Sequence, residues 1–428
     1  MSYKKIFPLA LVILFFLSLF AFFNSKAKVE NQYQSYLHEA RENKEVGVHV
    51  DAIDYYKKAI EIKKEPEVYI EFANYLRDLD LTNEAIELSK SFTQEFSKNV
   101  EGYEFLIELY NNEKDYKNLF KTYREFKSRK LTSENIDKIY SKVEYYFITK
   151  ELPYNDILST TENIIVVKGN KDWTYLDSNG EMIGEHYKYI GPFSNDRSAV
   201  EDSDARWTYI DSSGRKRHSV DNIHGLTELG MLTPSGFVAK ADNMWRVYNL
   251  NNEIIAGPYE SITNIKDGYL VAKENNNYNL LNIKDVTSVQ LPGEAITDEN
   301  NIAFNNEALF VREENTVSLY NNKGEKILGE FEDAKPFNDS YAAVKKNGNW
   351  GFVDNEGNLI IDYIYDDARS FKLGHAAVKK NNKWGLINEE EKLVIDYKYD
   401  DMKDMTDNGT LVVKEDNLWK VLIFYKYN

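Results

Sequence analysis

The chain has 428 residues, 70 acidic against 53 basic side chains, a net charge of −17 and no cysteine. That length exceeds what a single core fills, so two to three domains are expected, and the acidic balance excludes general polyanion binding, which needs clustered cations. Without thiols there is no disulfide framework, no cysteine nucleophile and no cysteine-held zinc.

After Lys4 and Lys5, residues 6–23 read IFPLALVILFFLSLFAFF, eighteen residues without a charge. A bilayer core takes about 20 helical residues, with a range of roughly 17 to 25, so the run is expected to be a transmembrane anchor and residues 1–28 a cytoplasmic stub plus that anchor. A cleaved signal peptide is the alternative, with Ser25 and Ala27 as its cleavage site, although h-regions of about 7 to 15 residues are shorter than this one. Lys4 and Lys5 favour a cytoplasmic amino terminus against Lys26 and Lys28 on the other side. The expectation is a single-pass cell-membrane protein with its bulk outside the cytoplasm.

Residues 29–152 form the second region. Glycine and proline are nearly absent from it, and apolar residues recur at three and four positions, as in AIDYYKKAI and EAIELSKSF, the spacing of amphipathic helices. Ala40 and Ala52, Ala73 and Ala85, and Ile107 and Leu119 stand twelve apart, where facing helices approach. Units headed by Tyr36, Tyr69 and Tyr103 follow at 33 and 34 residues. A last helix is expected over residues 133–149, with Thr132 or Ser133 as its N-cap.

On these residues the region resembles the tetratricopeptide repeat over about 110 residues. It departs from the family pattern at Asn43, Ile107 and Leu119, and Pro66 is the one turn proline. The resemblance implies a helical solenoid whose concave face binds peptides or partner proteins; a plain spacer is the alternative.

From Pro153 the texture changes to short apolar runs broken by Asn, Asp and Gly, which signals strands and tight turns over residues 153–428. AAVKKNGNWGFVDNEGNLIIDYIYDDARSF, beginning at Ala342, is nearly repeated from Ala376. Aligned on its tryptophan, eight anchors appear: Trp173, Trp207, Trp245, Tyr278, Val317, Trp350, Trp384 and Trp419, at intervals of 34, 38, 33, 39, 33, 34 and 35. So steady a period marks a repeated supersecondary unit. Five positions before each anchor stand Lys168, Asp202, Lys240, Lys273, Arg312, Lys345, Lys379 and Lys414; four after it stand Asp177, Asp211, Asn249, Asn282, Asn321, Asp354, Asn388 and finally Ile423. VKKNGNW predicts a hairpin with a two-residue turn, the Asx side chains cap a second turn, and residues 359–367 and 393–401 predict a third strand. The indoles are expected in the core.

This pattern resembles the WG-repeat family, also called KWG repeats. The WG pair itself survives as Trp350-Gly351 and Trp384-Gly385. The resemblance implies a β-rich repeat scaffold and no transferable chemistry. About eight units allow a propeller-like ring, whose last strand completes a blade with the first, or an open β-solenoid. The final YKYN offers no polar cap for an open end, which favours the ring. The expected fold class is thus multidomain: transmembrane helix, TPR-like α-solenoid, WG-repeat β array.

Chemistry has few signatures. The six histidines have no metal-ligand spacing, and GxSxG, Walker and GxGxxG motifs are missing. Asp366-Asp367 and Asp400-Asp401 are paired carboxylates of the kind glycosidases use, but they recur at one place in adjacent repeats, which suits turn acids. DSNG at Asp177 and DNEG at Asp354 do not continue as calcium loops and fit type I turns. The basic row, Lys168, Lys240, Lys273, Arg312, Lys345, Lys379 and Lys414, reads either as a stripe for an anionic envelope polymer or as protection against edge aggregation; with 46 acids and 30 bases over residues 151–428, the second is favoured. The expected function is binding or scaffolding through repeat surfaces, without catalysis or cofactor, toward a protein or cell-envelope partner and not nucleic acid. A glycan-acting envelope hydrolase and a structural spacer are the alternatives.

Overall fold

The computed structural model describes residues 6–427, with side chains from residue 24 onward. The chain divides between Tyr146 and Phe147 into two compact units.

The first unit holds α1 (Ile6–Glu45), α2 (His49–Ile62), α3 (Pro66–Asp78), α4 (Thr82–Glu95), α5 (Val100–Asn112), α6 (Tyr116–Ser128) and α7 (Glu134–Val143). α1 packs on α2, α3 on α4 and α5 on α6. Three-residue turns join each pair, with Gly47, Asp80 and Lys114 in the left-handed region that ends a helix. The six positions twelve apart are all buried: Ala40, Ala52, Ala73, Ala85, Ile107 and Leu119. Ser133 caps α7 by accepting the Ile136 N–H at 3.2 Å.

Two expectations are corrected here. A transmembrane element was expected at residues 6–23, whose side chains lie outside the described residues; among those described, no helix is long and apolar enough to cross a membrane. Instead of a separate anchor, α1 continues without a break into the first helical pair, because no glycine or proline occurs between Pro8 and Gly47 to end it. The fold class is therefore a helical region followed by a β-propeller. The helix expected over residues 133–149 stops at Val143, and Phe147–Leu152 is a strand.

That strand belongs to the second unit, an eight-bladed β-propeller. The unit contains eight separate sheets, seven of four strands and one of three. Blade 7 is typical: Asp367–Ala368 next to the axis, then His375–Lys380, Lys383–Asn388 and Leu393–Tyr399 outward. In blade 1, Asp156–Ser159, Ile164–Lys168 and Trp173–Asp177 form the sheet, and bridges from Trp173 to Tyr187 and Leu176 to Met182 stand where the fourth strand would be. The long strands expected over 359–367 and 393–401 are each interrupted at Asp366 or Asp400. Leu359–Tyr365 is the outer strand of one blade and Asp367–Ala368 the inner strand of the next. The doubled aspartates mark the point where the chain crosses from rim to axis.

The ring closes on Phe147–Leu152. This strand pairs antiparallel with Leu418–Phe424, from Phe147 opposite Phe424 to Leu152 opposite Trp419, and so supplies blade 8 with its outer strand. Leu152, Val412, Trp419 and Val421 of blade 8 share one core with Ile165, Val167 and Leu176 of blade 1. Elsewhere neighbouring blades interlock in the same way, with Phe352 of blade 6 packing edge-on against Phe371 of blade 7 at 4.9 Å.

The repeated residue types fit this geometry. Both residues of the first hairpin turn have positive φ in five blades: Asp242-Asn243, Asn275-Asn276, Asn347-Gly348, Asn381-Asn382 and Asp416-Asn417, as type I′ turns require. At the second turn Asp354 Oδ1 accepts the N–H groups of Glu356 and Asn358 at 3.0 and 2.8 Å. Gly351 and Gly385 answer a different need. In blade 6, Trp350 pairs with Tyr365 and Phe352 with Ile361, so three residues of the outer strand bulge past one. A Cβ on Gly351 would lie 2.6 Å from the Ile361 carbonyl oxygen, and one on Gly385 2.7 Å from that of Ile395. Blade 4 pairs residue for residue, Tyr278 with Leu291 and Asn279 with Gln290, and needs no glycine there.

Two outcomes follow for stability. Gly351→Ala should destabilise the propeller by about 1–3 kcal/mol, the range for overpacking against fixed backbone, whereas Asn279→Ala at the matching position of blade 4 should stay within about 0.5 kcal/mol; denaturant titration reads both. A fragment of residues 147–428 should unfold cooperatively, and one of residues 153–428 should unfold at a lower temperature, because it loses burial of Leu152, worth about 1.5–3 kcal/mol, together with a complete strand pairing.

Candidate functional site

The basic row occupies the second strand of seven of the eight blades and lies inside a ladder. Lys168, Lys240, Lys273, Arg312, Lys345, Lys379 and Lys414 stand directly opposite Trp173, Trp245, Tyr278, Val317, Trp350, Trp384 and Trp419. On the inner side most of them face an acid: Asp156, Glu228, Glu294, Asp333, Asp367 and Asp401. The Lys379 ammonium lies 5.9 Å from the Trp384 ring centre and that of Lys414 5.4 Å from Trp419, within cation–π range. In blade 2 the residue opposite Trp207 is Glu201; Asp202 has moved into a longer hairpin loop, where its Oδ1 accepts the Arg206 N–H at 3.0 Å. The row is thus a set of cross-strand pairs within blades.

The inner strands and the turns after them enclose a central cavity of about 620 Å³. All eight blades contribute to its wall, among others Thr160, Ser194, Met231, Lys266, Asp298, Lys335, Arg369 and Asp404 in blade order. Carboxylates outnumber cations in this wall, seven (Glu162, Asp298, Glu299, Asp339, Asp367, Asp404, Asp407) to four (Lys266, Lys335, Arg369, Lys372).

Three consecutive blades place a cation at one station, just after the inner strand: Lys335, Arg369 and Lys403. The backbone holds each identically, through N–H bonds to Ala343, Ala377 and Val412 carbonyls at 2.9, 2.9 and 2.8 Å. The indole beneath orients two of them: Lys335 lies 5.3 Å from the Trp350 ring centre and the Arg369 guanidinium 5.9 Å from that of Trp384. Arg369 is 20% and Lys403 13% exposed at the side chain, so their charges need partners.

Glu299 supplies the main one. It sits in residues 296–307 of blade 5, a twelve-residue segment where blades 6 and 7 have seven and six. Glu299 accepts from Arg369 Nη1 at 2.7 Å and from Lys403 Nζ at 3.0 Å, joining blade 5 to blades 7 and 8. The segment is pinned to blade 4, where Asn264 donates to the carbonyls of Asn301 and Asn300 at 2.7 Å each. Asp298 Oδ1 accepts the N–H groups of Asn300 and Ile302 at 2.9 and 2.8 Å. Burial, though opposed by these bonds and reinforced by Asp404, pushes the Asp298 pKa up to about 6. Burial works against ionisation of Glu299 too, but Arg369 and Lys403 outweigh it and hold its pKa low. Nε of Arg369 and Oδ1 of Asn300 are buried in the wall with no hydrogen-bond partner among the described residues.

With this geometry in view, likeness to known proteins can be read segment by segment. A family model described as "WG containing repeat" matches residues 173–204, 318–350, 350–384 and 384–419. These four segments are similar to WG repeats, and together they span about a third of the chain. Each of the last two runs from tryptophan to tryptophan, so a WG repeat comprises the outer half of one blade and the inner half of the next. No curated protein matches the chain. Among solved structures, BamB from Moraxella catarrhalis aligns at 12% identity over 63% of this chain and 84% of its own, with a TM-score of 0.35. The WD40 β-propeller domain of Doa1 aligns at 12% identity over 64% and 95%, with a TM-score of 0.29. The eight sheets by themselves define the propeller.

Of the paired carboxylates, Asp367 borders the cavity, while Asp366 and Asp400 are exposed outside it, accepting from the Asn381 N–H at 2.7 Å and pairing with Lys383 at 2.5 Å. Sequence reasoning missed Glu299, Asp298, Arg369, Lys335, Lys403 and Asp404. Two signals pointed to them: the basic residue after EDA, DDA and DDM in the last repeats, and the long interval of 39 residues between Tyr278 and Val317, which holds the extra segment.

Asp298 gives a pH signature. An acid whose folded pKa is raised from 3.8 to about 6 keeps its proton longer in the folded chain; its favourable contribution is complete below its unfolded pKa and is lost as the pH rises through about 6. Asp298→Asn retains an acceptor for both N–H groups and cannot ionise. The melting temperature of the variant minus that of the wild type should therefore increase between about pH 4 and pH 7 and then level off, whereas a flat difference would show that Asp298 does not titrate there.

Proposed function

We propose that this protein is a non-catalytic binding protein whose propeller receives a small polar ligand in its central cavity. The observation that carries this reading is the convergence of all eight blades on one cavity wall that retains charged and unpartnered polar groups. Ligand pockets have about this volume, roughly 300–1,000 Å³, and a few convergent polar groups. The helical pairs, with their likeness to tetratricopeptide repeats, suit a second surface for a protein partner, so that the whole chain acts as a scaffold joining ligand and partner. No step of covalent chemistry is assigned to it.

The test is equilibrium dialysis of the full chain against a metabolite extract, read by mass spectrometry, with Ser194→Trp as a variant that fills the cavity from blade 2. The wild type should enrich one or a few small polar compounds, and the filled variant should lose at least about tenfold of that enrichment, equivalent to about 1.4 kcal/mol. Equal enrichment by both, or none by either, would remove the cavity from the proposal.

A further inference from the structure

Glu299 is the most informative residue of the wall. Its carboxylate bridges two nearly buried cations from blades 7 and 8, yet its own side chain is 43% exposed. The backbone around it is fixed by the Asp298 turn and by Asn264, so the side chain can leave by rotation alone while Asp298 stays. What it would leave is the Arg369 guanidinium in the wall, with Nη2 4.0 Å from Asp401 and Nε without a hydrogen-bond partner, and next to it the Lys403 ammonium, which reaches Glu299 without itself lining the cavity. Asp298, Asp404 and Arg369 all border the cavity, where Asp404 Oδ2 accepts from Asn338 Nδ2 at 3.0 Å and lies near enough to Asp298 and Arg369 to influence the ionisation of each. A simple anion placed on Arg369 and Lys403 would stand beside these acids. A simple cation would leave the two cations unmatched. A molecule carrying both charges satisfies both ends.

The geometry points to Glu299 as an internal stand-in for ligand: we infer that Arg369 and Lys403 take the carboxylate of a zwitterionic small molecule, an amino acid or a related amino carboxylate, whose ammonium sits between Asp298 and Asp404. This inference deepens the binding role proposed for the cavity and depends on it. Glu299 then acts as a competitor in cis, lowering the apparent affinity in proportion to its occupancy of the pair, and it keeps two desolvated cations paired when no ligand is there.

The experiment uses the full chain and isothermal titration with glycine, γ-aminobutyrate and 6-aminohexanoate as zwitterions of increasing reach, and acetate and ethylamine as single-charge controls. Glu299→Gln should bind at least one zwitterion about tenfold more tightly than the wild type, and more tightly than either control. Adding Arg369→Gln or Asp404→Asn to that variant should abolish the gain. As a measurement independent of the folding of any variant, hydrogen exchange of residues 296–304 in the wild type should change with the same zwitterion at saturation and not with acetate or ethylamine. No gain in Glu299→Gln, tightest binding of acetate alone, or an unchanged exchange pattern with every zwitterion would overturn the inference. Should dialysis enrich a compound in a cavity-dependent way that Glu299→Gln leaves unaffected, the cavity reading stands and this assignment of its ligand fails.

Discussion

The pairing of Phe147–Leu152 with Leu418–Phe424 is the contact on which the β unit depends. An open array of face-packed sheets leaves an apolar sheet face uncovered at each end, which favours association with other chains. Joining the first strand to the last sheet removes the gap in the ring and places Leu152 on Trp419 in a core shared with blade 1. The matched segments run from the outer half of one blade to the inner half of the next, so blades 6 and 7 are each a joint between two of them; the closing strand makes a comparable joint between the two ends of the β unit. The cavity at the axis exists only because the ring is complete.

Within blades, the repeated residues solve problems of the sheet. Most of the cations on the second strand have an acid on one side and an aromatic face on the other, so their charge is compensated locally and the stem covers the ring. That explains how a strongly acidic domain keeps a regular row of cations without presenting a basic track. Glycine after tryptophan is confined to the two blades whose outer strand bulges deeply toward it. In this chain the Trp-Gly pair is therefore a packing device, and its loss in the other blades matches their shallower or absent bulges.

Positions that depart from the repeat make the site. Lys335, Arg369 and Lys403 occur in three blades only, and the long segment carrying Asp298 and Glu299 occurs in one. Burying a guanidinium beside an ammonium is unfavourable unless an anion answers them, so the carboxylate from blade 5 is a requirement of the ring as well as a candidate competitor for ligand. The WG indoles connect scaffold and site, since Trp350 and Trp384 lie beneath Lys335 and Arg369.

Much of this was legible in the sequence, and the boundary has a physical basis. Hairpins at Asn347-Gly348 and Asn381-Asn382, the Asx turns from Asp177 to Asn388 and the paired helices at 33–34 residue offsets all follow from preferences acting within a few residues and from a period that exposes them repeatedly, whereas the period allowed a ring and an open solenoid alike. The sequence also placed the indole anchors at one station. Helix α1 and the strand at 147–152 were misread, because an apolar run does not say where a helix ends, and an outer strand without a repeat of its own shows its role only beside its partner. The doubled aspartates were read as one strand end, since only the ring separates rim from axis. Above all, Glu299 meets Arg369 across 70 residues and Lys403 across 104: no local pattern encodes that meeting, which arises when closure brings the inner turns of distant blades to one axis. Sequence alone determined the repeated unit, through short-range turn and strand preferences; tertiary structure alone decided the site, because its groups are neighbours only once the circle is shut.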